Sequence, residues 1–342
     1  MNIMMPRVLA VVVNFNGRPY IGRCLDNLAR QTFPETRIVV VDNGSTDGSA
    51  AYLKKRYAHL ELILLPDNRG FSAANNLAIR SGNEEYIVLL NPDTVPDLKW
   101  VQRLVETLDA NPEAGFAASK MCYYDQPEII DRAGDGYSYA GAGVLRGRGQ
   151  DAAACDTAGW IFGACAGGAI YRRSMLDTIG LFDEDFFLLY EDVDLSFRAQ
   201  LQGYKCIYVP DAVIRHMASQ SIGYDSPVSV YYAHRNLEWT YFQNMPDKLI
   251  QRTFHRHLLY DLAAFLFFSA RGRVTPFLRA KTDALRGLNK ALGKRKAVQR
   301  SRTVSDQYLW NLIETEGYIN RIRRRVGNNV LKTLKVKKHQ SE

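Results

Sequence analysis

The chain is poor in the features that classify a protein most quickly. Its five cysteines, Cys24, Cys122, Cys155, Cys165 and Cys206, are odd in number and far apart. That spacing fits neither a metal-binding pair nor a disulfide framework and points to a reducing, cytosolic setting. No stretch approaches the roughly 18 uninterrupted apolar residues of a membrane span. No secretory leader is legible: the apolar run at 8–13 is short, lacks an Ala-x-Ala-like exit and ends in Asn14-Phe15-Asn16, so a buried strand accounts for it better. There is no Gly-x-Gly-x-x-Gly after that strand and no Gly-x-x-x-x-Gly-Lys-Ser/Thr anywhere, which argues against a dinucleotide dehydrogenase and a P-loop enzyme.

What is present is the composition of a folded globular protein, 46% hydrophobic and 23% charged over 342 residues, enough for one large domain or two ordinary ones. Charge is unevenly divided. Residues 247–342 carry 22 Lys+Arg against 7 Asp+Glu, a net +15, whereas the preceding 246 residues carry 22 against 29, a net −7. A basic tail on an acidic body suggests an anionic partner for the tail. The tail lacks the interleaved aromatics of a single-strand groove, so a membrane surface is expected rather than nucleic acid.

Strands are expected at 8–13, 37–41, 60–65 and 86–90, all apolar as in a parallel sheet covered on both faces. Helices are expected at 18–31, 49–56, 73–81 with Ser72 as its cap, and 98–108. This alternation predicts an α/β fold with a doubly wound, mostly parallel sheet. From 121 to 159 the pattern weakens into Gly, Ala, Tyr and Asp, and a long surface loop is expected. Further on, an apolar strand follows Gly167-Gly168, a short helix ends near Gly180, a helix runs from 193 to about 202, and strands lie at 206–209 and 212–214. Gly168 permits close approach of a ligand or of a neighbouring strand.

Four polar loops then share an address. Asn14-Phe15-Asn16, Asp42-Asn43-Gly44, Asp67-Asn68-Arg69-Gly70 and Asn91-Pro92-Asp93 each follow the carboxyl end of an expected strand, where open α/β sheets bind ligands. Asp93, held beside a proline, suits a hard divalent cation, Mg²⁺ or Mn²⁺, and His216 at the end of another strand adds an imidazole that suits Mn²⁺. Asp42 is placed to accept hydrogen bonds from a base or ribose. The apolar run Phe186-Phe187-Leu188-Leu189-Tyr190 delivers Glu191, Asp192 and Asp194 to its end. Those acids either carry chemistry from a partly buried place or favour a helix N-terminus through its dipole.

Taken in order, Val13-Asn14-Phe15-Asn16, Val41-Asp42-Asn43-Gly44-Ser45-Thr46-Asp47-Gly48, Asn68-Arg69-Gly70-Phe71 with Ala74-Asn75-Asn76, Asn91-Pro92-Asp93, and Phe182-Asp183-Glu184 with Glu191-Asp192-Val193-Asp194 resemble family-2 glycosyltransferases of the GT-A fold. Within that family the set looks most like bacterial rhamnosyltransferases that decorate lipid-linked or cell-surface glycans. The resemblance covers roughly residues 8–245. It implies metal-dependent, inverting transfer from a nucleoside-diphosphate sugar, best matched by L-rhamnose from dTDP-rhamnose, to a glycan or polyprenyl-diphosphate-linked acceptor, with a UDP-sugar as the alternative donor. By the same resemblance Asp93 stands as metal ligand in place of an Asp-x-Asp motif whose first acid is Asn91 here, and His216 as a second ligand. Asp192 stands as general base, with Glu191 as the other candidate. Asn14, Asn16, Asp42, Asn43, Arg69 and Asn91 fall in the nucleotide-sugar loops, and Trp160, Gly168 and Glu191 on the acceptor side. The rivals are a nucleotidyltransferase, which would want a Gly-rich basic loop where Asn14-Phe15-Asn16-Gly17 stands, and a non-catalytic binding protein.

Residues 1–245 thus read as a GT-A catalytic domain and 246–342 as a basic helical region. Residues 257–270 hold Leu258, Leu259, Leu262, Phe265, Leu266, Phe267 and Phe268 between His255-Arg256-His257 and Arg271-Gly272-Arg273. Such a helix either lies in a membrane interface, making the protein peripheral on the inner face of the cell membrane, or packs on the body or in a homo-oligomer. Lys294-Arg295-Lys296 and Arg323-Arg324-Arg325 are expected as solvated or lipid-binding runs. A tether of this kind predicts that a chain ending at Met245 keeps turnover on a soluble acceptor.

Overall fold

The computed structural model describes residues 6–217 and 226–313. The chain opens as β1 (Val8–Asn14), α1 (Ile21–Leu28), β2 (Thr36–Asn43), α2 (Ser49–Arg56), β3 (Glu61–Leu65), α3 (Gly70–Ile79) and β4 (Tyr86–Leu90). β1 shows why these strands carry no polar alternation. Leu9, Val11 and Val13 enter a core with Ala74, Ala78 and Ile79 of α3, while Val8, Ala10 and Val12 enter a second core with Ile21, Cys24, Leu25 and Leu28 of α1. Each face of the strand is covered, so every side chain is apolar.

The chain continues through β5 (Thr94–Pro96), α4 (Trp100–Ala110), β6 (Ala114–Tyr123), β7 (Ile130–Ala133), β8 (Asp135–Tyr137), β9 (Gly143–Leu145), β10 (Gly159–Ile161), β11 (Gly168–Arg172), α5 (Arg173–Ile179), α6 (Glu191–Leu201) and β12 (Lys205–His216). The sheet order is β10-β12-β6-β11-β4-β1-β2-β3, with β5 on β12 and β7 on β6. Pairs β3–β2, β2–β1, β1–β4 and β6–β12 are parallel, and β11 runs antiparallel between β4 and β6. The expected α/β class and mostly parallel sheet are therefore found.

Three local expectations change. Residues 121–159 are not a surface loop: β6 runs to Tyr123, β7 pairs with it, β8 and β9 form a hairpin, and Ile130, Asp131, Ala133, Asp135 and Tyr137 are buried. Composition misled because the buried acids are matched by arginines, Arg148 to Asp131 and Arg132 to Asp135. α3 starts at Gly70 rather than 73, and Ser72 lies inside it. Its first amides are held by remote groups instead: Asn43 Oδ1 accepts from Arg69 N and Asn68 Oδ1 from Gly70 N, each at 2.9 Å. The two short strands expected at 206–214 are the single strand β12, with a register shift between Val209 and Val213 where Pro210 has no amide to donate.

The helical end comprises α7 (Pro227–Asn244), α8 (Asp247–Ala270), α9 (Val274–Ser301) and α10 (Asp306–Leu312). Tyr241 and Met245, Leu249 of α8 and Leu309 of α10 share one core with Tyr137, Phe162, Val193 and Phe197 of the body. Lys294 is not a solvated charge: its Nζ reaches Asp183 at 2.5 Å and Asp185 at 2.5 Å. Arg295 donates to the carbonyls of Phe242 and Met245. Arg323-Arg324-Arg325 lies outside the described residues. On α8, Phe254, Leu258, Leu259, Leu262 and Leu266 face solvent, and no described helix is long and apolar enough to cross a membrane.

This packing reverses the outcome expected of truncation. A chain ending at Met245 loses Lys294, Arg295, Leu249 and Leu309 from the body. Stripping the cover from several buried side chains at about 1.5–3 kcal/mol each exceeds the usual margin of stability. Circular dichroism melts of the truncated chain should show no cooperative unfolding, or a midpoint lowered by well over 10 °C.

Candidate functional site

The loops after β1 and β2 are bonded to each other. Asn14 and Asp42 are buried, and Asn14 Nδ2 donates to Asp42 Oδ1 at 2.8 Å and to Ser45 Oγ at 3.2 Å. Asn16 sits at φ 53°, a conformation Asn tolerates, and its Oδ1 accepts from Thr46 N at 2.8 Å. Asn43 ties β2 to the loop before α3 through Asn68 and Arg69 N. Arg69 projects from that loop with its side chain 52% exposed. Asn91 follows β4; its amide donates to Gly167 O and its carbonyl accepts from Thr94 Oγ1. Most of this rim is preorganised by its own hydrogen bonds, with Arg69 and the neighbouring Asp67, 3.8 Å apart, projecting from it.

Asp93 and His216 meet through sheet register. β5 pairs antiparallel with the end of β12, and His216 lies opposite Thr94, which brings its imidazole to Asp93. His216 Nε2 stands 3.4 Å from Asp93 Oδ1, a buried oxygen with no hydrogen-bond partner among the described residues. The other ring nitrogen, Nδ1, is 2.8 Å from Asp131 Oδ2, and Asp131 is bonded to Arg148 at 2.8 Å. Burial opposes the charged ring, but the facing Asp131 and Asp93 carboxylates prevail and raise His216 to about 9; a bound cation would take the place of the proton at Nε2. An orphan carboxylate oxygen beside an imidazole whose far nitrogen rests on a carboxylate is the donor set expected of a divalent cation site. The residues present therefore fit the cation.

The three acids at the start of α6 have distinct surroundings. Asp194 has no exposed surface and accepts from Arg198 Nε at 2.8 Å, Asn244 Nδ2 at 2.7 Å and Gln243 Nε2 at 3.1 Å. Glu191 is buried, and one of its oxygens has no partner among the described residues. Burial, reinforced by the neighbouring Asp192, pushes its carboxyl well above the usual range. Asp192 is only partly buried and accepts from Ala166 N at 3.2 Å and Val193 N at 2.8 Å. Carboxylate oxygens of Asp192 and Asp135 and the Cys165 Sγ lie within 4.8 Å of one another. Arg132, 3.3 Å from Asp135, already supplies positive charge there.

Trp160 stands on the edge strand β10, 44% exposed, with Lys205 Nζ 5.0 Å from its ring centre. The space left by Gly168 is taken by Ile214, so this glycine serves packing between strands, and it is Gly167 that abuts Asn91. Sequence reasoning missed Asp131, Arg132 and Asp135. The available signal was acids set among Ile130 and Ala133, a pattern that a solvated loop does not need.

The fold is an architecture of the GT-A type, with a helical C-terminal region. Residues 9–180 match the profile of Glycosyl transferase family 2, and the chain belongs to that family. It is 28% identical over 264 residues to the N-acetylglucosaminyl-diphospho-decaprenol L-rhamnosyltransferase of Mycobacterium tuberculosis, spanning 67% of this chain and 82% of that protein. It is 24% identical over 212 residues to the poly-beta-1,6-N-acetyl-D-glucosamine synthase of Staphylococcus epidermidis, spanning 61% of this chain and 49% of that one. Among solved structures, the mannosyltransferase PcManGT from Pyrobaculum calidifontis in complex with GDP-Man and Mn²⁺ aligns with a TM-score of 0.52 at 22% identity, covering 90% of this chain and 88% of that one. S. aureus TarS 1-349 in complex with UDP aligns at 0.51 and 19%, covering 86% and 90%.

A cation held by Asp93 and His216 predicts a measurable role for Asp131. The substitution Asp131→Asn should weaken Mn²⁺ binding, read by calorimetry or by the electron-spin signal of free Mn²⁺, by about tenfold to a hundredfold.

Proposed function

We propose that the chain catalyses inverting transfer of a sugar from a nucleoside-diphosphate donor to a polyprenyl-diphosphate-linked glycan, with L-rhamnose from dTDP-rhamnose as the best-matched donor. The observation that carries this reading is Asp192: it is the one acid of the α6 turn left partly open, while Glu191 is buried and Asp194 is consumed by Arg198, Gln243 and Asn244. In a single displacement the acceptor oxygen bonds to the anomeric carbon as the bond to the diphosphate oxygen breaks, and the hydroxyl proton passes to Asp192. Mg²⁺ or Mn²⁺ at Asp93 and His216 would neutralise the departing diphosphate. Arg69 supplies an exposed cation on the donor rim, and the bonded Asn14, Asp42 and Asn43 loops keep that rim in shape. The choice of L-rhamnose and of a lipid-linked acceptor is supported by the mycobacterial relative, which spans most of both chains.

The same reading includes peripheral attachment to the inner face of the membrane. Its support is the outward stripe Phe254, Leu258, Leu259, Leu262 and Leu266, each 41–63% exposed, with exposed Arg252, His255, Arg256 and Arg271 along or beyond it. An apolar face with basic edges lies flat in anionic bilayers.

Two measurements test these statements. With dTDP-rhamnose and a synthetic polyprenyl-diphosphate glycan, Asp192→Asn should lower kcat by about 10² to 10⁴ with KM for the donor little changed. Near-normal turnover by that variant would remove Asp192 as base, and turnover of UDP- or GDP-sugars in preference to dTDP-rhamnose would remove the donor. Sedimentation with phosphatidylglycerol vesicles should capture the full chain, and Leu258→Glu with Leu262→Glu should cut capture by roughly tenfold or more, since each charge removes a buried leucine contact.

A further inference from the structure

The geometry points to Asn236 of α7 as a positioning residue for the acid-bearing turn, an inference that rests on Asp192 acting as base. The segment leading into α6 carries three non-glycine residues at positive φ: Phe187 at 62°, Leu189 at 63° and Tyr190 at 71°. Phe187 has ψ −54°, and Leu188 N donates to Phe186 O at 2.6 Å, which closes a γ-turn of the rare positive-φ form. Strained backbone of this kind persists only where its surroundings over-determine it. Here the surroundings are specific. The side chain of Asn236 is fully buried, and its Nδ2 donates to Phe186 O at 2.9 Å, Leu188 O at 2.9 Å and Leu189 O at 2.7 Å. Three carbonyls that a relaxed chain would turn elsewhere are gathered on one amide.

Two further contacts fix the turn. Arg235 Nη2 donates to Asp185 O at 2.9 Å and Phe186 O at 3.0 Å, with its guanidinium 4.3 Å from the centre of the Trp239 ring. On the opposite side Phe187 O accepts from Phe71 N at 2.6 Å, and a Cβ on Gly70 would meet the Phe187 ring and carbonyl at 2.6 Å. The turn is thus pinned between the donor loop at Arg69-Gly70-Phe71 and helix α7. Tyr190, the residue before Glu191, is the N-cap of α6. Release of the carbonyls lets φ at 187, 189 and 190 return to negative values, which re-aims the chain as it enters α6 and moves Asp192 relative to the donor rim.

The test compares full-length wild type, Asn236→Ala, Asn236→Ala with Leu189→Gly, and Asp192→Asn, all well below their unfolding midpoints. Hydrogen exchange of peptides spanning 186–194 should accelerate at least about tenfold in Asn236→Ala while β1 and β4 stay protected. With dTDP-rhamnose and the polyprenyl acceptor, kcat should fall on the order of thirtyfold to a hundredfold, the effect of roughly an ångström of misplacement, with the donor KM within about twofold. Glycine adopts φ near 63° without steric cost, so the double variant should regain a measurable part of the lost kcat, at least about threefold. A merely structural asparagine predicts no such rescue. Unchanged exchange at 186–194, kcat within about twofold of wild type, or a double variant no better than the single one overturns the inference. Turnover retained by Asp192→Asn but lost by Asn236→Ala removes the base and leaves the clamp. If wild type does not use dTDP-rhamnose, the donor reading fails and the exchange rates alone decide the clamp.

Discussion

Asp194 is a carboxylate without solvent, and such a group persists only when its oxygens are matched by donors. Arg198, one turn further along α6, and Gln243 and Asn244 at the end of α7 supply them. Breaking a buried pair of this kind costs about 3–5 kcal/mol, against about 0–1 kcal/mol for an exposed ion pair. The network therefore fixes α6 against α7 at the turn that carries Glu191 and Asp192. The helix dipole favours all three acids at that end, so capping and chemistry are served by one arrangement. What separates the acids is how much water each retains.

A second constraint acts across the sheet. After the register shift in β12 at Pro210, its last residues pair with β6 on one edge and with β5 on the other. Without that shift His216 would not lie opposite Thr94, and Asp93 would have no imidazole beside it. Asp131 then orients the ring from behind, and Arg148 holds Asp131. A bulge, a three-residue strand and a buried ion pair together convert two residues more than a hundred positions apart into one donor set.

Legibility in the sequence followed burial symmetry. β1 to β4 are apolar on both faces and bounded by turn residues, so strands and intervening helices were readable to within a few positions. The strand-end loops were readable because such loops collect ligands in this class of sheet. Residues 121–159 were not, since Asp131 and Asp135 look like solvated residues until the fold pairs them with Arg148 and Arg132 of the same stretch and brings in His216 from β12. Polar burial is a property of pairs, and a single sequence shows the members without the pairing. The start of α3 escaped for the same reason: its amides are satisfied by Asn43 and Asn68, which precede the helix and lie partly in another strand. The strained turn at 186–190 left no mark either, because Phe187, Leu189 and Tyr190 are not residues that advertise positive φ.

The charge division between body and tail now has a physical account. Part of the tail's positive charge faces the body: Lys294 and Lys290 meet Asp183 and Asp185, and Arg295 meets Asp247 and two carbonyls at the end of α7. Lys281 joins Glu238 and Asp261 inside the helical layer. Lys290 and Lys294 hold the stretch before α6 from behind, so the helical end is a structural part of the body and not an appendage. Other arginines of α8 and α9 are exposed yet partnered: Arg252 and Arg256 lie over the rings of Trp310 and Tyr139, and Arg279 and Arg286 pair with Asp283. One face of the helical layer is thus bonded to the body's own carboxylates, while the other presents exposed leucines to solvent.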